Sequence, residues 1–438
     1  MTKVQKFYKS IKRKPRAYKK LMKRKRINSA VESSVAKRRA AEKRLKAYGI
    51  IALSISVMFL VSLLYSIISK GYSAFVSSEI KLSVNYSKEL VEDDNFLLII
   101  KKAIRSEFPE VSKRNEKREL EALVSTKAMA YRIKDLLSEN PENTGKTVDV
   151  WVLLSSDADM YIKGKVDTSI DEKLRRLNDR QLAWLDELKE KGLIKKSFNS
   201  TFFSSGDSSE PETAGILGSL IGSVFVIISC MLVAFPLGVM TAIYLEEFAP
   251  KNKFTDFIEV NINNLAAVPS IVFGLLGVVV YIQMFGLPRS SSLVGGLTLA
   301  MMALPVIVIA TRTSIRAIPQ SIRDGATALG ASKVQTTLHH VLPLAMPGIM
   351  TGTILSIARV LGETAPLLMV GLNAFVVDVP QGFTSAATVM PTQIYRWSDT
   401  PEYGFIEKTS AAIIVLLGVL ILANASAVYL RKKFEIRW

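Results

Sequence analysis

The stretch Met346–Leu372, MPGIMTGTILSIARVLGETAPLLMVGL, decides how this chain is read. Most of it is apolar and close to the ~20 residues that span a hydrocarbon core. Yet Arg359, Glu363 and Pro366 interrupt it. A charged side chain at the centre of a spanning helix costs roughly 2.5–3.5 kcal/mol on insertion scales, so such groups face a bundle interior or water. Arg359 and Glu363 are four residues apart, which puts acid and base on one helix face. The expectation is a polytopic membrane protein with an ion pair turned inward.

Composition agrees. The chain has 438 residues, 49% hydrophobic, with a formal charge of +18. Residues 1–47 hold 19 Lys/Arg against 2 Asp/Glu, which leaves the remainder near neutral. The apolar residues gather into six runs: Gly49–Ser69, Ala214–Tyr244, Asn264–Phe285, Leu293–Ala310, Pro347–Leu372 and Ser410–Tyr429. The first run is too deep in the chain and too long for a cleaved signal peptide, so it reads as a retained anchor. Lys and Arg cluster in the flanks 1–47, 245–263, 311–346 and 431–438, which places both termini and those loops on the cytoplasmic side. The basic tail beside a span fits topology control and anionic lipid better than nucleic acid, since few aromatics accompany it.

Residues 71–202 differ in character, mixing charges of both signs. Leu120, Leu123, Ala130, Ile133 and Leu137 fall on one helical face, and Leu174, Leu177, Trp184, Leu185 and Leu188 on another. TVDVWVLL and MYIKGKV alternate and are joined by SSDAD, which predicts a β-hairpin. The expected organisation is a tail over 1–47, a first span over 48–70, an inserted extracytoplasmic α/β domain over 71–202 and a polar linker over 203–213. A helical core over 214–431 and a short cytoplasmic tail over 432–438 complete it.

A second motif is DGATALGASKVQTTLHHVLP, Asp324–Pro343. Its small residues allow close approach of a partner surface, and Gly330 permits an abrupt turn. It resembles the EAA loop of bacterial ABC-transporter permeases. In that pattern an acid and two alanines are followed by Gly at the seventh place and Leu-Pro at the nineteenth and twentieth. Here Asp324, Gly325, Ala326, Gly330, Leu342 and Pro343 take those places, with Asp for Glu, Gly for the first Ala, and His340 where an aliphatic residue is usual. The resemblance implies a cytoplasmic coupling helix over about 320–343, Leu329 included, that docks on a separate ATPase.

VPSIVFGL (Val268–Leu275) together with GETAPLL (Gly362–Leu368) resembles the permeases of phosphate ABC importers, the PstA type more than the PstC type. The resemblance covers about 214–431, so residues 1–213 make a long variant. It implies an all-α permease of six transmembrane helices in the type I ABC importer fold, carrying the α/β insert. The implied partners are a second permease of the PstC type, an ATPase dimer, an extracytoplasmic phosphate-binding protein and inorganic phosphate. On this reading Arg359, Glu363, Thr364 and Ser270 line the substrate pathway. Arg offers a fork of donors matched to phosphate oxygens. Gly362, Pro366 and Pro269 loosen the helices so that freed backbone groups face a cavity. A purely structural Arg359–Glu363 pair is the competing reading.

Other classes have less support. A permease for molybdate or an amino acid fits the EAA-like loop but not GETAPLL. A receptor sensing through 71–202 lacks room for a cytoplasmic signalling domain. The chain carries no GxxxxGK[ST] loop, HExxH, CxxC or GxSxG, so an ATPase or other enzyme role has no motif to rest on. No cofactor or metal site is expected. Cys230 is the single cysteine, and the adjacent His339 and His340 point to different helix faces.

Overall fold

A computed structural model describes residues 15–434; residues 1–14 of the basic tail and 435–438 of the carboxyl-terminal tail lie outside the described residues. The chain forms two compact units, 1–66 and 67–438. In the first, a single helix, α1 (Pro15–Gly71), carries the basic segment directly into the first apolar run.

The second unit begins with a three-stranded antiparallel sheet, β1 (Val76–Asn85), β2 (Thr147–Leu153) and β3 (Ile194–Phe198), in the order β2-β1-β3. Along β1, Ile80, Leu82 and Val84 point into the core and alternate with the less buried Lys81, Ser83 and Asn85. Helices α2 (Phe96–Ser106), α3 (Arg114–Glu121), α4 (Thr126–Glu139), α5 (Ser156–Ile162) and α6 (Asp179–Glu190) accompany the sheet. Asn95 caps α2, and Asn178 with Gln181 forms a capping box on α6. Residues from all three regions share one apolar core with Leu120, Ile133, Trp184, Leu185 and Leu188.

The expected hairpin is corrected here. Only its first arm is a strand, and it pairs with β1, Val152 opposite Ile80. The second arm belongs to α5, whose first turn carries Asp157 and Asp159. Acidic residues suit a helix amino terminus, and Asp159 also accepts the Ser78 backbone N–H at 2.8 Å. The single apolar face from Leu120 to Leu137 is two helices, α3 and α4, and Leu174 is exposed.

The membrane part follows with α7 (Leu217–Ile243), α8 (Lys253–Ala266), α9 (Ser270–Gly277), α10 (Ser292–Arg316), α11 (Gln320–Ala328), α12 (Leu342–Gly362), α13 (Ala365–Met369), α14 (Met390–Ser398) and α15 (Tyr403–Phe434). Among the described residues, five helical segments are long and apolar enough to cross a membrane, those containing α1, α7, α10, α12 and α15. A sixth crossing exists if α8 and the helix from Ser270 to Met284 are one span, bent by 102°. The expected third span, Asn264–Phe285, therefore includes this bend. Pro269 lacks the N–H that a continuous helix needs, and the helix begins again at Ser270. The fifth span is also shorter than expected: α12 ends at Gly362, not Leu372.

Small residues set the spacing of the central helices. A Cβ at Gly296 of α10 would lie 2.3 Å from Ser229 Cβ of α7, and one at Gly352 of α12 would lie 2.2 Å from Ala310 Cβ of α10. In lipid, where apolar surfaces gain little by leaving the solvent, such close backbone approach drives helix association.

The polar stretch 203–213 is not a free linker. Asp207 is 3% exposed, accepts the Trp397 Nε1–H at 3.0 Å and pairs with Arg396 of α14. Burial pushes the Glu212 carboxyl up, against the opposing pull of a Ser125 hydrogen bond and the Lys408 charge. Lys163, just past α5, bridges Asp159 at 2.6 Å and Glu407 of α15 at 3.2 Å, and both Lys163 and Glu407 are buried. The α/β region thus sits on the start of α15 through enclosed charges.

Gly352→Leu is expected to lower the unfolding temperature of the detergent-purified protein, because the added side chain meets Ala310; overpacking of this kind costs about 1–3 kcal/mol. Gly418→Leu, where a Cβ meets nothing within 4 Å, serves as the control and is expected to leave that temperature unchanged.

Candidate functional site

Two places carry the sequence-predicted residues. The first is the break after α12. Gly362 ends the helix and Glu363 takes an extended conformation, φ −77° and ψ 125°. Pro366 stands in the first turn of α13, where a missing N–H does no harm. Arg359 Nε lies 3.8 Å from Glu363 Oε1, with side chains 45% and 22% exposed. The pair therefore forms across a helix end, not within a helix. At ~1.5 Å per residue, Arg359 stands about 26 Å along the axis from the start of α12. The charges lie near the far end from the coupling segment, which corrects their expected mid-span position.

The chain beyond the break packs back into the bundle. Leu367, Val370 and Leu372 join Val226, Phe273, Val294 and Leu299 in one buried cluster. A Cβ at Gly274 of α9 would lie 2.7 Å from Pro366 Cα. The VPSIVFGL and GETAPLL motifs thus touch through Gly274 and Pro366. Ser270, which opens α9, and Thr364 are both half-buried. Among the described residues neither side chain hydrogen-bonds to Arg359 or Glu363.

The second place is the segment after α10. Asp324, Gly325 and Ala326 lie in α11, and only Ala326 of the three is buried. Gln320 donates to Asp324 at 3.1 Å. Leu329 is 91% exposed, and Gly330 follows it at φ +87°. That left-handed backbone turns the chain away from α11, which is the role a glycine fills without strain. Ser332 and Gln335 then form a capping box, and the helix runs through Leu342 and Pro343 into α12.

Sequence reasoning missed what anchors this segment. Arg323 of α11 donates from Nε and Nη2 to Glu247 Oε1 at 3.0 and 2.7 Å, and also to the Ile318 and Ile315 carbonyls at 2.9 and 3.1 Å. Glu247 is only 9% exposed. Beside it Arg316 meets Glu246 at 2.8 Å, and Arg312 pairs with Glu246 and Glu259. Arg323 thereby ties α11 to the turn after α7, while Arg312 and Arg316 tie the end of α10 to that turn and to the middle of α8. The available signal was the Glu246-Glu247 pair directly after an apolar run, opposite a ladder of arginines at 312, 316 and 323. A cleft of 750 Å³ opens here, lined by Glu246, Arg316, Pro319, Asp324 and Lys333 among others. No group of three or more His, Cys, Asp or Glu able to hold a metal occurs among the described residues.

Comparison with known proteins gives the setting. Residues 234–436 match the family described as binding-protein-dependent transport system inner membrane component, and 32–172 match a domain of unknown function, DUF3333. A probable ABC transporter permease protein, YqgI of Bacillus subtilis, is 36% identical over 178 residues, 40% of this chain and 59% of that one. The phosphate transport system permease protein PstA of Mycobacterium leprae is 37% identical over 213 residues, 48% of this chain and 68% of that one. PstA of Haemophilus influenzae is 31% identical over 208 residues, 47% and 72% respectively. This chain thus spans between 59% and 72% of the length of these relatives.

Arg323→Ala leaves Glu247 buried without its partner, and breaking a buried pair costs about 3–5 kcal/mol. Thermal unfolding should show a larger loss for Arg323→Ala than for Arg323→Ala combined with Glu247→Ala; a double-variant loss equal to the sum of the two single losses would mean that the pair is not coupled.

Proposed function

This chain belongs to the PstA family of phosphate transport system permeases, and on that premise we propose that it is the transmembrane permease subunit of an ATP-driven importer of inorganic phosphate. It is a multi-pass inner-membrane protein with the type I ABC importer permease fold. The observation that carries the proposal is the identity of 31–37% to PstA proteins over about half of the chain, together with the contact between VPSIVFGL and GETAPLL at Gly274 and Pro366.

In this reading the basic tail is cytoplasmic and meets anionic lipid. The region 71–202 is a domain on the outer side, inserted ahead of the permease core of 214–431. A PstC-type permease pairs with this chain, and an extracytoplasmic phosphate-binding protein delivers the anion. ATP is hydrolysed by a dimer of partner subunits, not by this chain. The exposed face of α11, with Leu329 at its tip, docks on that dimer. Closure of the dimer pulls on α11. Arg323 passes the pull to Glu247, and thus to the end of α7, as a rigid link. Conformational change requires a differential interaction with two states, and ATP binding by the partner supplies it.

At the other end of α12, Arg359 serves as a reversible anion ligand. Its 3.8 Å pairing with Glu363 is loose, and nearly half of its side chain is exposed. Phosphate oxygens match its donor fork better than one distant carboxylate oxygen does. Glu363 holds the guanidinium when no anion is present. Thr364 and Ser270 supply hydroxyls beside it, and the breaks at Gly362, Pro366 and Pro269 give that end of the bundle room to move.

Phosphate uptake by proteoliposomes containing the assembled transporter tests this. Arg359→Gln should reduce uptake at least about tenfold, the loss expected for one charge-assisted contact, with ATPase binding unchanged. Normal uptake in a correctly assembled Arg359→Gln transporter would rule out the pathway role. Leu329→Glu should have the opposite profile: co-purification of the ATPase falls while the unfolding temperature holds.

A further inference from the structure

A cavity of 140 Å³ lies between the 163–178 segment of the α/β region and Tyr403, the first residue of α15. Met160, Val166 and Leu177 give it an apolar lining, and Arg175 and Arg176 a cationic one. It is close in size to the ~150 Å³ cavity that accommodates benzene, so a molecule of about six heavy atoms fits.

The cavity holds an unfinished hydrogen bond. The Arg175 side chain is only 8% exposed, and its Nη2 donates to Asp179 at 2.5 Å. Its Nε is buried and has no partner among the described residues. Buried donors are nearly always satisfied, and a cationic one left without an acceptor is costly. The neighbouring cations are already engaged. Arg176 Nη2 donates to the Pro401 carbonyl at 3.2 Å, and Lys165 donates to the Ser69 carbonyl at 3.4 Å. The two carboxylates in the lining offer Arg175 no acceptor. Asp157 stands 3.8 Å from Arg176, and Asp167 accepts from Ser169. What the cavity lacks is an acceptor for Arg175 on a small apolar body.

We propose that this cavity binds a small organic anion, with a carboxylate or phosphate-ester head on Arg175 Nε and a short aliphatic body against Met160, Val166 and Leu177. The occupant touches both the α/β region and the first residue of α15, so it bridges the extra amino-terminal part of the chain and the permease core. The site is remote in sequence from Arg359 and Glu363 and does not depend on their role.

Isothermal titration of the full-length protein in nanodiscs tests the proposal with three probes: butyrate, propyl phosphate and butyramide. At least one anion should bind, and which one does identifies the head group; the neutral amide, nearly the same shape as butyrate, should not. Arg175→Gln should weaken anion binding at least about tenfold. Ile170→Trp fills the cavity while leaving Arg175 in place, and should abolish binding at an unchanged unfolding temperature. Should Arg175→Gln fail to fold, this second variant carries the test alone. Absence of binding by both anions, equal binding of butyramide, or full affinity in a folded variant of either kind would overturn the proposal.

Discussion

The close approach of α10 to its neighbours is the constraint on which the rest of the structure depends. Gly296 against Ser229 and Gly352 against Ala310 leave no room for even one added carbon. Because lipid is as apolar as the side chains it surrounds, bundle stability rests on this fit and on the polar contacts it permits. At one end of α10, the Leu293 N–H donates to the Phe383 carbonyl, which ties down the chain returning from the α12 break. At the other end, Arg312 and Arg316 hold Glu246 and Glu259. A single helix, α10, therefore links the joint with α11 to the chain beyond the α12 break.

The two ends use charge differently. Around α11 the arginines are paired at hydrogen-bonding distance with largely buried carboxylates, which makes a stiff joint suited to passing on a displacement. At Arg359 and Glu363 the pair is long and half-open, which suits a group that exchanges partners. The contrast is one of burial and distance, since both pairs use the same two residue types. A loose pair at low burial contributes little to stability.

The α/β region is bound into the permease part more firmly than a tethered domain would be. Asp207, Lys163, Glu407 and Lys408 are all buried, and Lys408 donates to the Ala214 carbonyl at 2.5 Å. Enclosed charges of this kind penalise separation, because each would be left unpaired in a low-dielectric setting. Movement of α15 is therefore felt by the α/β region, and an occupant at Arg175 stands on that same boundary.

The sequence by itself determined the class of this protein. Apolar length fixes the spanning helices, Gly330 marks the sharp turn after α11, and alternation fixes β2. These are local signals, carried by composition and period. Some errors were local as well: MYIKGKV alternates like a strand, yet Asp157 and Asp159 start a helix there. Only the tertiary structure decided that GETAPLL ends a helix instead of interrupting one, that Arg323 clasps Glu247, and that Asp207 lies buried against Trp397. The physical reason is separation along the chain. Arg323 and Glu247 are 76 residues apart, and Asp207 and Trp397 are 190 apart; no periodicity pairs such residues until the packed helices bring them together.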